Sequence, residues 1–134
     1  MIRVVLDTNV LVSALLSDAG NESRLVHAAR RGAFLVYVTT AVLAEYMEVT
    51  GRAKFGFATW RLEPLRTFLN TRTLQVVAEQ IGPGSPDPSD TKFIACAMAA
   101  NADFLVTGNR RHFPAERYGS AAVVNARELL AQLG

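Results

Sequence analysis

The sequence is short of several things, and each shortage removes a class of function. A lone cysteine, Cys96, excludes an internal disulfide and any multi-cysteine zinc site, and it fits a reducing compartment. With only His27 and His112, no Ser-His-Asp spacing is available for nucleophilic catalysis. No GxxxxGK[ST] loop offers a phosphate cradle. No apolar run approaches the ~18 residues of a membrane span, and the first residues lack the pattern of a secretory leader. Charged residues make up 19% with a formal net charge of only +2, so a dedicated, strongly basic nucleic-acid binder is disfavoured while nucleic acid stays open as a substrate. A soluble, cytoplasmic protein without a membrane segment is expected.

What the chain has is apolar residues: half of 134, enough for one real core and a single domain over residues 1–134. Ile2 and Val4 to Leu6 read as a short buried strand running into Asp7-Thr8-Asn9, after which Val10, Leu11, Ala14 and Leu15 recur at helical spacing. Glu22 to Arg31 reads as a helix closed by Gly32, and Ala33 to Val38 as a second strand. Helices follow over Thr40 to Thr50 and Trp60 to Leu69, the latter with Pro64 as a start or a kink. Leu74 to Ala78 reads as a strand and Gly82 to Pro86 as a loop. A helix opens at Asp90 and ends at Asn101, Asp103 to Val106 is a strand, and Pro114 to Gly119 a loop. The last strand is Ala121 to Val124, and Asn125 with Glu128 forms a capping box for a helix through Leu133. Two-sided apolar strands alternating with six or seven helices predict a doubly wound α/β domain, with about five parallel strands covered on both faces.

In such a fold, ligands bind beyond the carboxyl ends of the strands, so the acids there matter most. Asp7 ends the first strand, although Asp is also an ordinary helix cap. Asp90 starts a helix at the same edge and falls within the arc of Phe93, Ile94, Ala97 and Met98; capping and function are evenly matched for it. Glu45 sits about 60° from Val42 and about 40° from Val49, on the shoulder of its helix's apolar face, whereas Glu48 lies further round as a surface residue. Three acids from three elements suit a hard divalent cation, Mg²⁺ or Mn²⁺, that activates water against a phosphodiester.

LDTNVLVSALL, LAEY around Glu45 and DPSDTKFIACAMAANADFLVTGNRRHF together resemble the PIN domain, and more narrowly the VapC-like ribonucleases of bacterial toxin–antitoxin pairs. The resemblance implies a Rossmann-like three-layer α/β/α sandwich and a Mg²⁺- or Mn²⁺-dependent endoribonuclease leaving 5′-phosphate and 3′-hydroxyl ends. It matches Asp7, Glu45 and Asp90 to the family's acids, with Asp87 as an outer ligand and Thr8 and Asn9 supporting the first acid. It also implies RNA as substrate, a cognate antitoxin as partner and a homodimer. Two departures thin the negative charge: Asn109 stands where relatives carry a fourth acid, able to ligate only through its carbonyl, and Thr91 where they often carry Asp or Asn. Asp103 could substitute, but it begins its strand and belongs to the opposite edge.

Arg110 and Arg111 after Asn109, with Arg24, Arg30 and Arg31, are candidates to hold the RNA backbone, although basic helix faces are more often simply solvated. The alternative is a PIN-like module that binds RNA or protein without cutting, for which Asn109 is the motive. A haloacid-dehalogenase-like phosphatase is a minor reading, because Asn9 replaces the general acid of its DxD motif. A response-regulator receiver would need an acid ending the third strand, where LQVVAEQ offers only Glu79.

Overall fold

In the first four-residue strand, β1 (Arg3–Leu6), Val4, Val5 and Leu6 lose essentially all contact with solvent. Such a strand must be covered on both faces, and the rest of the chain supplies the cover. The computed structural model describes residues 1–78 and 88–134; Asp87, Glu79 and the expected loop over Gly82 to Pro86 lie outside the described residues. After β1 come α1 (Thr8–Leu16), α2 (Asn21–Arg30), β2 (Leu35–Val38), α3 (Thr40–Thr50), α4 (Thr59–Thr71) and β3 (Leu74–Gln75). A 3₁₀ turn at Pro88–Asp90 leads into α5 (Thr91–Ala99) and β4 (Phe104–Val106). A second 3₁₀ turn at Arg110–His112 precedes β5 (Arg117–Tyr118), β6 (Ala121–Val124) and α6 (Ala126–Gln132).

The sheet order is β3-β2-β1-β4-β6-β5, and every neighbouring pair is parallel except β5 with β6. Helices on both faces make this a three-layer α/β/α fold. Five parallel strands match the expected sheet, and β5 is an addition. It lies in the segment Pro114 to Gly119 that reads as a loop, and it turns back onto β6 at Gly119, whose φ of +60° suits glycine. β3 is shorter than the apolar run Leu74 to Ala78, although the Val76 N–H still bonds the Val38 carbonyl at 2.9 Å. Pro64 neither starts nor stops α4, which begins five residues before it.

Strand order reverses direction at β1: the chain moves outward through β2 and β3, then returns to pair β4 on the other side of β1. Val4, Val5 and Leu6 pair with Phe104, Leu105 and Val106. That reversal between β1 and β4 opens a crevice at their carboxyl ends. The Asp7 N–H continues the ladder onto the Val106 carbonyl at 2.8 Å, and the Thr107 N–H bonds the Val124 carbonyl at 2.9 Å. Both residues are thus held rigidly at the mouth of the crevice. The core beneath is continuous from β1 to Leu129 of α6 and includes Tyr46, Phe93 and Phe113, all nearly inaccessible. No helix among the described residues is long and apolar enough to cross a membrane.

Candidate functional site: an acid centre at the β1–β4 crevice

Asp7 precedes α1 with extended backbone, yet its side chain makes no capping hydrogen bond. Instead Oδ2 accepts from the Thr107 hydroxyl at 2.8 Å, and the Thr107 oxygen in turn accepts from the Asn109 N–H at 3.0 Å. The carboxylate is only 4% exposed. Burial raises its pKa from 3.8 to about 6; Thr107 opposes the rise, Asp90 adds to it, the Asn9 N–H opposes it without closing a cap, and Glu45 adds to it. The two other acids therefore lie close enough to repel Asp7. This is the convergence that the wheel positions of Glu45 and Asp90 anticipate.

Glu45 reaches the centre because Tyr46, its neighbour on α3, is fully buried. The Tyr46 hydroxyl donates to the Leu6 carbonyl, the last of β1, and its ring stacks near Phe93 with centroids 6.4 Å apart. That contact ties α3 to the strand end and leaves Glu45 half-buried beside it. One Glu45 oxygen accepts from the Thr8 hydroxyl, and the other from the Lys92 ammonium at 2.8 Å. Glu48, by contrast, is an exposed surface residue paired with Arg52.

Asp90 is the residue before α5 and is buried, and its carboxylate is not spent on a cap. His112, from the turn after β4, places Nδ1 2.6 Å from Asp90 Oδ2. The Asn9 side-chain oxygen accepts from the Gly108 N–H at 3.2 Å, closing the β4 loop against the start of α1. Asn109 contributes its N–H to Thr107. Asp103 sits at the opposite edge, as its place at the start of β4 dictates, where it accepts from the Arg3 N–H at 2.8 Å.

The basic candidates are dispersed. Arg110 pairs with Glu128 at 2.6 Å near the start of α6, and Arg111 is exposed on the same 3₁₀ turn. Arg24, Arg30 and Arg31 are exposed on or just after α2. Arg30 borders a groove with Ala14, Leu15, Trp60 and Leu65, about 10 Å along α1 from Asp7. A polar cleft of about 350 Å³ lies nearer, bordered by Asn9, Ser13, Gly108, Asn125 and Arg127.

Four residues of the site escaped sequence reasoning. Thr107 was discoverable, because a hydroxyl ending a strand next to β1 must face the same crevice. Tyr46 reads as an ordinary core residue. Lys92 and His112 carry no local signal, since each meets its acid only through tertiary packing.

These residues suit a divalent cation in kind and in charge. The donors are carboxylate oxygens, and Asp90 and Glu45 both add to the rise that burial gives the Asp7 pKa. As the side chains lie, no three His, Cys, Asp or Glu among the described residues are grouped to grip one ion. Each carboxylate is engaged by Thr107, by Thr8 with Lys92, or by His112.

No curated protein matches the chain. A family model described as PIN domain matches residues 3–111, from the first residue of β1 into the turn that follows β4. PIN domains are in general nucleases that use divalent metal ions. The match covers the crevice and all three acids, and the chain belongs to the PIN domain family.

Proposed function

We propose that the protein is a Mg²⁺- or Mn²⁺-dependent endoribonuclease, with Asp7, Glu45 and Asp90 as its cation ligands. The observation that carries this reading is the buried Asp7 carboxyl, pushed up to about 6 at the topological switch point, with Asp90 and Glu45 among the causes. A bound cation supplies activation of water and neutralisation of charge on the phosphate. The chain's own residues do the rest. Thr107 orients Asp7, Thr8 orients Glu45, and Tyr46 keeps α3 docked on the end of β1. A polar cleft borders Asn9 and Gly108, at the start of the helix that follows Asp7. Asp87 would be an outer ligand by the family resemblance alone, and Asn109 would offer a neutral carbonyl where relatives carry an acid. Arg111 and Arg110 are the basic residues following that position in the chain, and Arg24, Arg30 and Arg31 stand apart from them on or just after α2 as further candidates to hold the RNA backbone.

The biological role proposed is that of the toxin of a toxin–antitoxin pair. It would act in the cytoplasm as a homodimer and be restrained by a cognate antitoxin. The supports are the family match and the resemblance of its three motif blocks to VapC-like chains.

The test is cleavage of single-stranded RNA with Mg²⁺ or Mn²⁺, with product ends analysed, for wild type, Asp7→Asn and Asp90→Asn. Wild type should leave 5′-phosphates, and both variants should lose at least a hundredfold in rate. Equal activity in the variants refutes the assignment. Two features favour the second reading, a binding module that does not cut: Asn109 leaves the centre one acid short, and Lys92 already pairs with Glu45. RNA binding retained with no Mn²⁺ uptake at millimolar concentrations would select that reading.

A further inference from the structure

Lys92 is the one ammonium group in direct contact with the acid centre among the described residues. It leaves α5 two positions after Asp90 and crosses to Glu45 on α3, with Nζ 2.8 Å from Oε1. The pair is largely buried, with side chains 30% and 19% exposed, so water screens it less than a surface pair. The other Glu45 oxygen accepts from Thr8, leaving the carboxylate with a donor on each oxygen. Each oxygen keeps a second lone pair, so a cation can meet Glu45 with both donors still in place. Thr8 is a neutral hydroxyl, whereas Lys92 carries a full charge that offsets the Glu45 charge a dication would otherwise feel. Lys92 also borders a groove with Thr39, Thr40, Val76 and Ala95.

We propose that Lys92 is an internal counter-ion of the acid centre, a built-in competitor that weakens the hold of Glu45 on a divalent cation. This rests on Asp7, Glu45 and Asp90 being cation ligands, and it is independent of whether RNA is the substrate. Lys92 is a positioning residue: it acts on the ion through Glu45. The competitor role and a merely structural role, clamping α3 to α5, predict opposite signs. A structural clamp, once removed, lets Glu45 wander and weakens cation binding. A competitor, once removed, strengthens it.

The experiment is calorimetric titration of the whole protein with Mn²⁺ alone. Wild type is compared with Lys92→Gln and Lys92→Met, and with Lys92→Arg to keep the charge. Both neutral variants should bind Mn²⁺ about tenfold more tightly than wild type, equivalent to about 1.4 kcal/mol. Lys92→Arg should stay within about twofold of wild type. In a Glu45→Gln background, Lys92→Gln should produce no gain, because the route through Glu45 is gone. Unchanged or weaker binding in both neutral variants overturns the proposal, as does a gain that survives Glu45→Gln. Undetectable Mn²⁺ binding in every form overturns it too. Lys92→Gln keeps a hydrogen-bond donor and gives the same readout if Lys92→Met fails to fold. Tightened Mn²⁺ binding without RNA cleavage refutes the nuclease reading and leaves the Lys92 proposal standing.

Discussion

Asp7→Asn should make the protein more stable, against the usual expectation for a buried polar residue. The Asp7 carboxyl has an ordinary value of 3.8 and a folded value of about 6, with burial as the largest cause. Because the folded value is raised, the stability the carboxyl supplies is fully present below pH 3.8 and lost as pH rises through 6. At about 1.4 kcal/mol per tenfold in proton affinity, the ionised carboxylate costs the fold about 3 kcal/mol at pH 7.5 and about 1 kcal/mol at pH 4.5. Asparagine keeps the shape and an oxygen that accepts from Thr107, and it never ionises. In EDTA at pH 7.5 the variant should therefore exceed wild type by up to about 3 kcal/mol, or roughly 10 °C in Tm for a domain of this size. The gain should shrink by about 2 kcal/mol at pH 4.5. Urea denaturation of both proteins at the two pH values measures it. A variant less stable than wild type at pH 7.5, or a gain that ignores pH, refutes the reasoning. Mn²⁺ at about a hundred times its Kd should then add about 2.7 kcal/mol to wild type and little to the variant, closing most of the gap.

Thr107→Val removes the only side-chain donor to Asp7 among the described residues and strands the Asn109 N–H. Urea denaturation should show a loss of about 1–3 kcal/mol, and a neutral result would mean the hydroxyl does not hold the carboxylate. Tyr46→Phe should cost about 1–2 kcal/mol at nearly constant packing and loosen α3 from β1, seen as faster amide exchange in α3; unchanged exchange would contradict the tie to Leu6. Burial pushes the Cys96 thiol up to about 12, so a thiol reagent at pH 8 should label the native protein at least a thousandfold more slowly than the urea-unfolded chain, and prompt native labelling would contradict the buried placement.

Much of this arrangement is legible in the residues because it depends on local periodicity. Val4 to Leu6 can only be a buried strand, and Asp7 must then stand at its carboxyl end. The 3.6-residue period puts Glu45 on a shoulder and Asp90 on an inward arc before any coordinates are known. What stays hidden depends on pairing between distant segments. β5 is two residues long and carries no alternation of its own, so only its antiparallel contact with β6 makes it a strand. Lys92 looks like a solvated helix residue until α3 and α5 are docked. His112 meets Asp90 only because the turn after β4 folds back over the start of α5. Arg110 illustrates the converse: its basic character is plain, but its pairing with Glu128 follows from the capping box that holds that glutamate at the start of α6.

The central claim is that Asp7, Glu45 and Asp90 together hold a divalent cation at the β1–β4 crevice. Paramagnetic broadening of backbone amide signals by substoichiometric Mn²⁺ tests it most directly, since the effect falls off steeply with distance from the ion. The account predicts the strongest loss of signal around Asp7, Glu45, Asp90 and Thr107, with weaker loss in α2 around His27 and Arg30, and loss of the whole effect in Asp7→Asn. Broadening centred elsewhere, or undiminished in Asp7→Asn, would contradict it.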